Sequence, residues 1–166
     1  MPDSVTCVVF DINVYINAII GPDSEWPRLD QVPPSSSNAA ADCLSLAFDA
    51  DAFRLCASPH ILVNVTRVLR GAGLSDGVTT EWLDAIIDII EASGGMIVDP
   101  DRTVFDVADF EDNLILDLAV AVGAALVVSE DADLTQLSPW QSTLPILRPR
   151  EFVARIIGAR GGFVRP

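Results

Sequence analysis

Four aspartates stand where apolar runs end or apolar-periodic stretches begin, and carboxylates so placed can hold a hard cation. Asp11 follows the run Val5-Thr6-Cys7-Val8-Val9-Phe10, and Asp131 and Asp133 follow Ala124 to Val128 through Ser129-Glu130. Asp112 opens the periodic stretch Leu114 to Val122. If the two runs are neighbouring parallel strands, their C-terminal ends lie side by side, which is where open α/β sheets place their sites. Carboxylates converging there repel one another, and Mg²⁺ or Mn²⁺ is the counter-charge that such oxygen donors favour. A cation held this way lowers the pKa of a bound water and neutralises phosphoryl oxygens without a Lys or a His. The layout points to metal-dependent chemistry on phosphate esters.

Each of these residues also has a structural role open to it. Asp112 near a helix start complements the macrodipole, Asp109 caps the same helix, and Asp133 suits the turn Ala132-Asp133-Leu134-Thr135. Glu111 and Glu130 read as solvated, and Asp117 faces either solvent or the groove. Asp11 is the hardest to assign to structure alone, because it breaks a buried strand at its C-terminal end. His60, in the first turn of its helix, reads as a surface residue.

The elements that must position these residues alternate. Residues 5–10 read as a buried strand, β-branched and without polar alternation. Asn13 to Ile20 is a short helix closed by Gly21-Pro22, and Ala39 to Phe48 is a second helix. Phe53 to Ala57 is a strand, and Ser58-Pro59 starts a helix with a serine cap and a proline in the first turn. That helix turns Ile61, Leu62, Val65, Val68 and Leu69 inward and ends at Gly71. A further helix runs from about Thr79 to Ala92 with Trp82, Ile86, Ile87 and Ile90 inward, and Met96 to Val98 is the third strand. Phe110 to Val122 is helical up to Gly123, Ala124 to Val128 is a strand, Pro145 to Leu147 a short last strand, and Glu151 to Ile157 the closing helix. Strands alternating with helices of these lengths predict an α/β fold, a parallel sheet of about five strands flanked by helices. One domain is expected over 1–157, interrupted by a Pro/Ser-rich loop at 22–37 and followed by an Arg/Gly-rich tail at 158–166. A loop of that length is functional or disordered more often than not, and this one leaves the chain near Asp11.

Composition narrows the chemistry. All ten basic residues are arginine, and the formal net charge is −14. With no lysine there is no P-loop and no Schiff-base enzyme. With His60 as the only histidine, His-rich metal sites are excluded and a Ser-His-Asp triad is disfavoured. Cys7, Cys43 and Cys56 are widely spaced in apolar surroundings and read as reduced thiols, without zinc spacing. No apolar run reaches the ~18 residues of a membrane span, and the start lacks the features of a signal peptide, so a cytoplasmic protein is expected. Strong acidity argues against a nucleic-acid partner, but five of the ten arginines fall between Arg148 and Pro166 beside a single glutamate.

The order of motifs resembles the PIN-domain nucleases. Phe10-Asp11-Ile12-Asn13-Val14 looks like the family's first motif, Asp109-Phe110-Glu111-Asp112-Asn113-Leu114-Ile115-Leu116 like its third, and Leu126-Val127-Val128-Ser129-Glu130-Asp131-Ala132-Asp133-Leu134 like its strand-Ser/Thr-x-Asp-x-Asp-Leu signature. Pro149-Arg150-Glu151-Phe152 resembles the opening of the last helix in many members. The resemblance spans about residues 5–157. It implies Mg²⁺- or Mn²⁺-dependent cleavage of RNA, with Asp11, Asp112 and Asp131 around the metal, Asp133 as a fourth ligand, and Asn13 and Ser129 in support. One position departs from the pattern. The helix after the second strand carries a glutamate in the family, and here the matching frame from Ser58 to Leu69 has Asn64 instead. A neutral carbonyl oxygen there removes a unit of charge from the cluster.

Three functions follow as expectations. The first is an endoribonuclease similar to VapC-type toxins, with RNA as substrate, an antitoxin protein as partner, and a homodimer as one assembly open to it. The second is a PIN fold weakened at Asn64 and acting as a binding module. The third is a Mg²⁺-dependent phosphohydrolase with Asp11 as nucleophile, against which stand Asn13, where such enzymes want a second acid, and the absence of lysine.

Overall fold

In the computed structural model, which describes residues 6–21, 37–48 and 52–164 and side chains as far as residue 159, the first apolar run forms β1 (Cys7–Phe10). The loop expected at 22–37 lies almost wholly outside the described residues, as does the start of the first strand at Val5. The chain continues through α1 (Ile12–Ile20), α2 (Ala39–Phe48), β2 (Arg54–Cys56), α3 (Pro59–Gly71) and α4 (Asp76–Ala92). Then follow α5 (Phe110–Val122), β3 (Leu126–Val128), the short α6 (Ala132–Thr135), β4 (Ile146–Leu147) and α7 (Pro149–Val164). The strands pair in parallel in the order β2-β1-β3-β4, and helices flank the sheet, giving the expected α/β class. Among the described residues no helix is long and apolar enough to cross a membrane.

The local signals act as their chemistry requires. The Ser58 hydroxyl accepts from Ile61 N at 3.2 Å to start α3, with Pro59 in its first turn. Gly123 adopts φ +61 to end α5, a left-handed conformation that a side chain would resist. α4 begins three residues before the expected Thr79, because Ser75 caps it through Val78 N. α7 runs on past the expected end at Ile157.

Among the described residues the sheet has four strands rather than about five. Met96–Val98, expected as a strand, supplies one rung: Ile97 bridges Ala57, with Ala57 N on Met96 O at 3.0 Å and Val98 N on Ala57 O at 2.9 Å. Parallel pairing recurs every second residue, so the next donors would be Pro100 on one side and Pro59 on the other. Neither has an N–H, and the ladder stops. Gly95 permits the close approach that remains, since a Cβ there would sit 1.7 Å from Leu55 O.

The core gathers under the C-terminal end of β1. The Phe10 ring lies 6.1 Å from Tyr15, 5.9 Å from Phe53 and 5.7 Å from Phe152, and Phe53 meets Phe152 edge-on at 5.1 Å. These aromatics join β1 to α1 and to the first turn of α7. Asp117 contradicts both expectations for it, solvent and groove: its side chain is fully buried in α5 and holds the segment before that helix. Thr103 N and Val104 N donate to its Oδ1 at 2.8 and 2.6 Å, and Arg102 Nε donates to its Oδ2 at 2.7 Å. Burial alone would raise the Asp117 carboxyl, but these hydrogen bonds outweigh it and hold the group below the ordinary carboxylate range.

Candidate active site

β1 leads across to β2 on one side, and β3 leads to β4 on the other. The strand order therefore diverges between β1 and β3, the crevice where open α/β sheets take ligands. Register places Phe10 opposite Val128, and Asp11 N donates to Val128 O at 2.9 Å. Asp11 and Ser129 consequently leave the sheet side by side. A groove of about 290 Å³ opens there. Asp11 and Asn13 line it from the β1–α1 junction, Asp131 from the N-cap of α6, and Asp109, Glu111 and Asp112 from the start of α5. α3 contributes Asn64, Arg67 and Val68. Val68, expected in the core, is partly exposed in this wall.

A single network orients the β1 and β3 ends. Ser129 Oγ, fully buried, donates to Asp11 Oδ2 at 2.7 Å and accepts from Asp131 N at 3.0 Å. Asn13 Nδ2 donates to the same Asp11 oxygen at 3.2 Å, and Asn13 Oδ1 accepts from Glu130 N at 3.1 Å. Ile12 N donates to Asp11 Oδ1 at 2.7 Å. Asp131 Oδ1 caps α6 through Asp133 N at 2.9 Å. Asp133 itself is exposed and outside the groove lining, although its charge is felt at Asp112.

Asp112 differs from its neighbours. It is buried, and its Oδ2 has no hydrogen-bond partner. Burial first, then the charges of Asp131, Asp109, Asp11 and Asp133, push its carboxyl up to about 7. The Asp11 carboxyl is also raised, chiefly by burial. The hydrogen bonds from Ser129 and Ile12 oppose that rise, and Asp131 and Glu111 add repulsion. Asn64 is held rather than free, its Nδ2 donating to His60 O at 2.9 Å and its Oδ1 accepting from Arg67 Nη2. Arg67 also reaches Glu111 across the groove at 3.7 Å. The sequence reading missed this arginine, although its i, i+3 spacing from Asn64 is a signal for such a pair. His60 is half-buried rather than a surface group, and burial lowers its proton affinity.

The raised Asp112 carboxyl fixes a pH dependence. A carboxyl whose folded value lies above its unfolded value (about 3.9) favours the fold while protonated, and that contribution is lost as pH rises through about 7. In chelator, wild type should lose stability relative to Asp112→Asn between about pH 4 and 7, by at most ~4 kcal/mol and by less where water in the groove screens the charge. Urea unfolding of both proteins across that range measures the difference. A constant difference would return the Asp112 carboxyl to its ordinary range.

The donor set suits a hard divalent cation: carboxylate oxygens from three separate elements, one of them buried without a partner. Among the described residues, no three acidic, His or Cys side chains already stand as a group that would hold an ion. Both Asp11 oxygens and one Asp131 oxygen accept hydrogen bonds from local donors. A comparison with curated proteins finds no match. The family model of the PIN domain matches residues 7–133, from β1 to α6, a stretch that includes Asp11, Asp112, Asp131 and Asp133, and the chain belongs to that family.

Proposed function

We propose that this protein is an endoribonuclease that uses Mg²⁺ or Mn²⁺ to hydrolyse RNA phosphodiesters. PIN domains are in general nucleases that use divalent metal ions. The observation that carries the reading is the meeting of Asp11, Asp112 and Asp131 in one groove, with Asp112 Oδ2 buried and unpartnered. Asp11, Asp112 and Asp131 hold the ion, Asp133 adds charge from the rim, and Ser129 and Asn13 keep the Asp11 carboxylate aimed into the groove. When bound, the cation supplies an activated water and neutralises charge on the phosphoryl oxygens. The finer reading, a cytoplasmic toxin held in check by an antitoxin protein, rests on the small single-domain PIN layout, which is similar to that of VapC-type toxins.

Asn64 favours a second reading, a binding module with weakened catalysis, because Arg67 and the His60 carbonyl already engage both ends of its amide. Cleavage of a mixed RNA pool separates the two. The nuclease cuts in Mn²⁺ and stops on chelation, whereas the module leaves RNA intact at saturating Mn²⁺. Asn64→Glu is expected to tighten Mn²⁺ binding by no more than about tenfold, since Arg67 would neutralise part of the added charge. Melting temperature titrated against Mn²⁺ gives the affinity. An unchanged titration would remove position 64 from the ion's surroundings.

A further inference from the structure

Single exposed apolar side chains are ordinary on a protein surface. Phe105 and Phe110 are not single: 71% and 60% exposed, they share one cation. The guanidinium carbon of Arg102 lies 5.0 Å from the centre of the Phe105 ring and 4.6 Å from that of Phe110. That guanidinium is anchored from beneath, by Nε on the buried Asp117 carboxylate at 2.7 Å and by Nη2 on Val104 O at 3.4 Å. A fixed planar cation therefore lies over one face of each ring, and the remaining ring surface stays in solvent. Phe110 is also flanked in sequence by groove residues, Asp109 before it and Glu111 and Asp112 after it.

We propose that Phe105, Arg102 and Phe110 form a stacking platform for an unpaired nucleobase of single-stranded RNA lying in the acidic groove. The proposal rests on the ribonuclease reading and adds a base-binding subsite to it. A nucleobase is the ligand whose chemistry fits: a flat π face for the rings, with the guanidinium beside it for an edge or a phosphate. The charge of the molecule strengthens the case. At a net charge of −14 much of this surface repels RNA, so contacts that do not depend on opposite charge weigh more in its affinity. Stacking is such a contact, and one base on an aromatic ring is worth about tenfold or more in affinity.

The test uses the full chain, Mn²⁺ and short single-stranded RNAs. Phe105→Leu and Phe110→Leu keep an apolar side chain and remove the ring, and each should raise KM about tenfold while kcat stays within about twofold. Phe105→Tyr and Phe110→Tyr should restore the wild-type KM. RNAs carrying one abasic nucleotide at successive positions should reveal one position at which wild type falls to the level of Phe110→Leu and that variant loses nothing more. Failure of wild type to bind or cut RNA would overturn the ribonuclease reading and the platform with it. Wild-type cleavage with unchanged KM in both Leu variants would overturn the platform alone, leaving the rings to a protein surface. Tyr variants as impaired as the Leu variants, or equal losses at every abasic position, would overturn it as well.

Discussion

Asp11→Asn should lower the rate of RNA hydrolysis at saturating Mn²⁺ by about 10²–10³-fold, the size of effect that follows removal of one preorganised electrostatic contact from a reacting site. The change keeps the shape of the side chain and removes its charge. It also sets an amide nitrogen against a donor, because Ile12 N points at Oδ1 while Ser129 and Asn13 both point at Oδ2. The Ser129 hydroxyl can rotate and accept instead, but Asn13 Nδ2 then meets another donor, so that hydrogen bond is lost. Against that loss, a buried carboxylate repelled by Asp131 and Glu111 becomes neutral. The two effects oppose each other, and the metal-free melting temperature should stay within about 4 °C of wild type. Single-turnover cleavage of end-labelled RNA measures the rate, and a scan in chelator measures the melt. A rate within about threefold of wild type would take Asp11 out of the reaction.

Phe10→Ala should be the most damaging single change to the fold, costing about 3–5 kcal/mol. Its ring is fully buried and touches Tyr15, Phe53 and Phe152, so deletion leaves a cavity bounded by three stiff aromatic side chains that collapse poorly. In a domain of this size the melting temperature should fall by roughly 6–20 °C. Urea unfolding gives the free energy. A loss under ~1 kcal/mol would mean that the aromatic cluster closes over the gap. Phe10 directly precedes Asp11, so a partly collapsed cluster would also disturb the carboxylate that the Ser129 hydroxyl holds.

Much of the fold was legible because the deciding chemistry is local. The buried β-branched run before Asp11, the Ser58-Pro59 start of α3 and the left-handed turn at Gly123 each carry their own cause in two or three residues. The meeting of Asp11, Asp112 and Asp131 in one groove was legible for a related reason: two of them end buried strands and one opens a helix. Membership of the PIN family rests on the same stretches. What stayed hidden depends on partners distant in the chain or on register. Met96–Val98 looks like a strand until its pairing with Ala57 is known, and only then do Pro59 and Pro100 become the missing donors. Asp117 gives no local sign that its partner is Arg102, fifteen residues earlier. Val68 shares the periodicity of a core residue, yet it lines the groove wall, because α3 is only partly covered there. The hydrogen bonds that Asp11 and Asp131 accept from Ile12 N and Asp133 N are set by the turns that follow each strand, and those turns show only in the structure.

The hydrogen bond from Ser129 to Asp11 joins residues 118 positions apart. Among the described residues every pairing of named strands is parallel, so the strand ends that carry Asp11 and Ser129 are not joined by a hairpin. During synthesis Asp11 leaves the ribosome long before β3 exists, and α5 emerges before the strand that aligns it. A nascent chain short of Ser129 therefore carries Asp11 and Asp112 but neither Asp131 nor the strand end that aligns them, and the groove closes only as the last fifth of the chain is made.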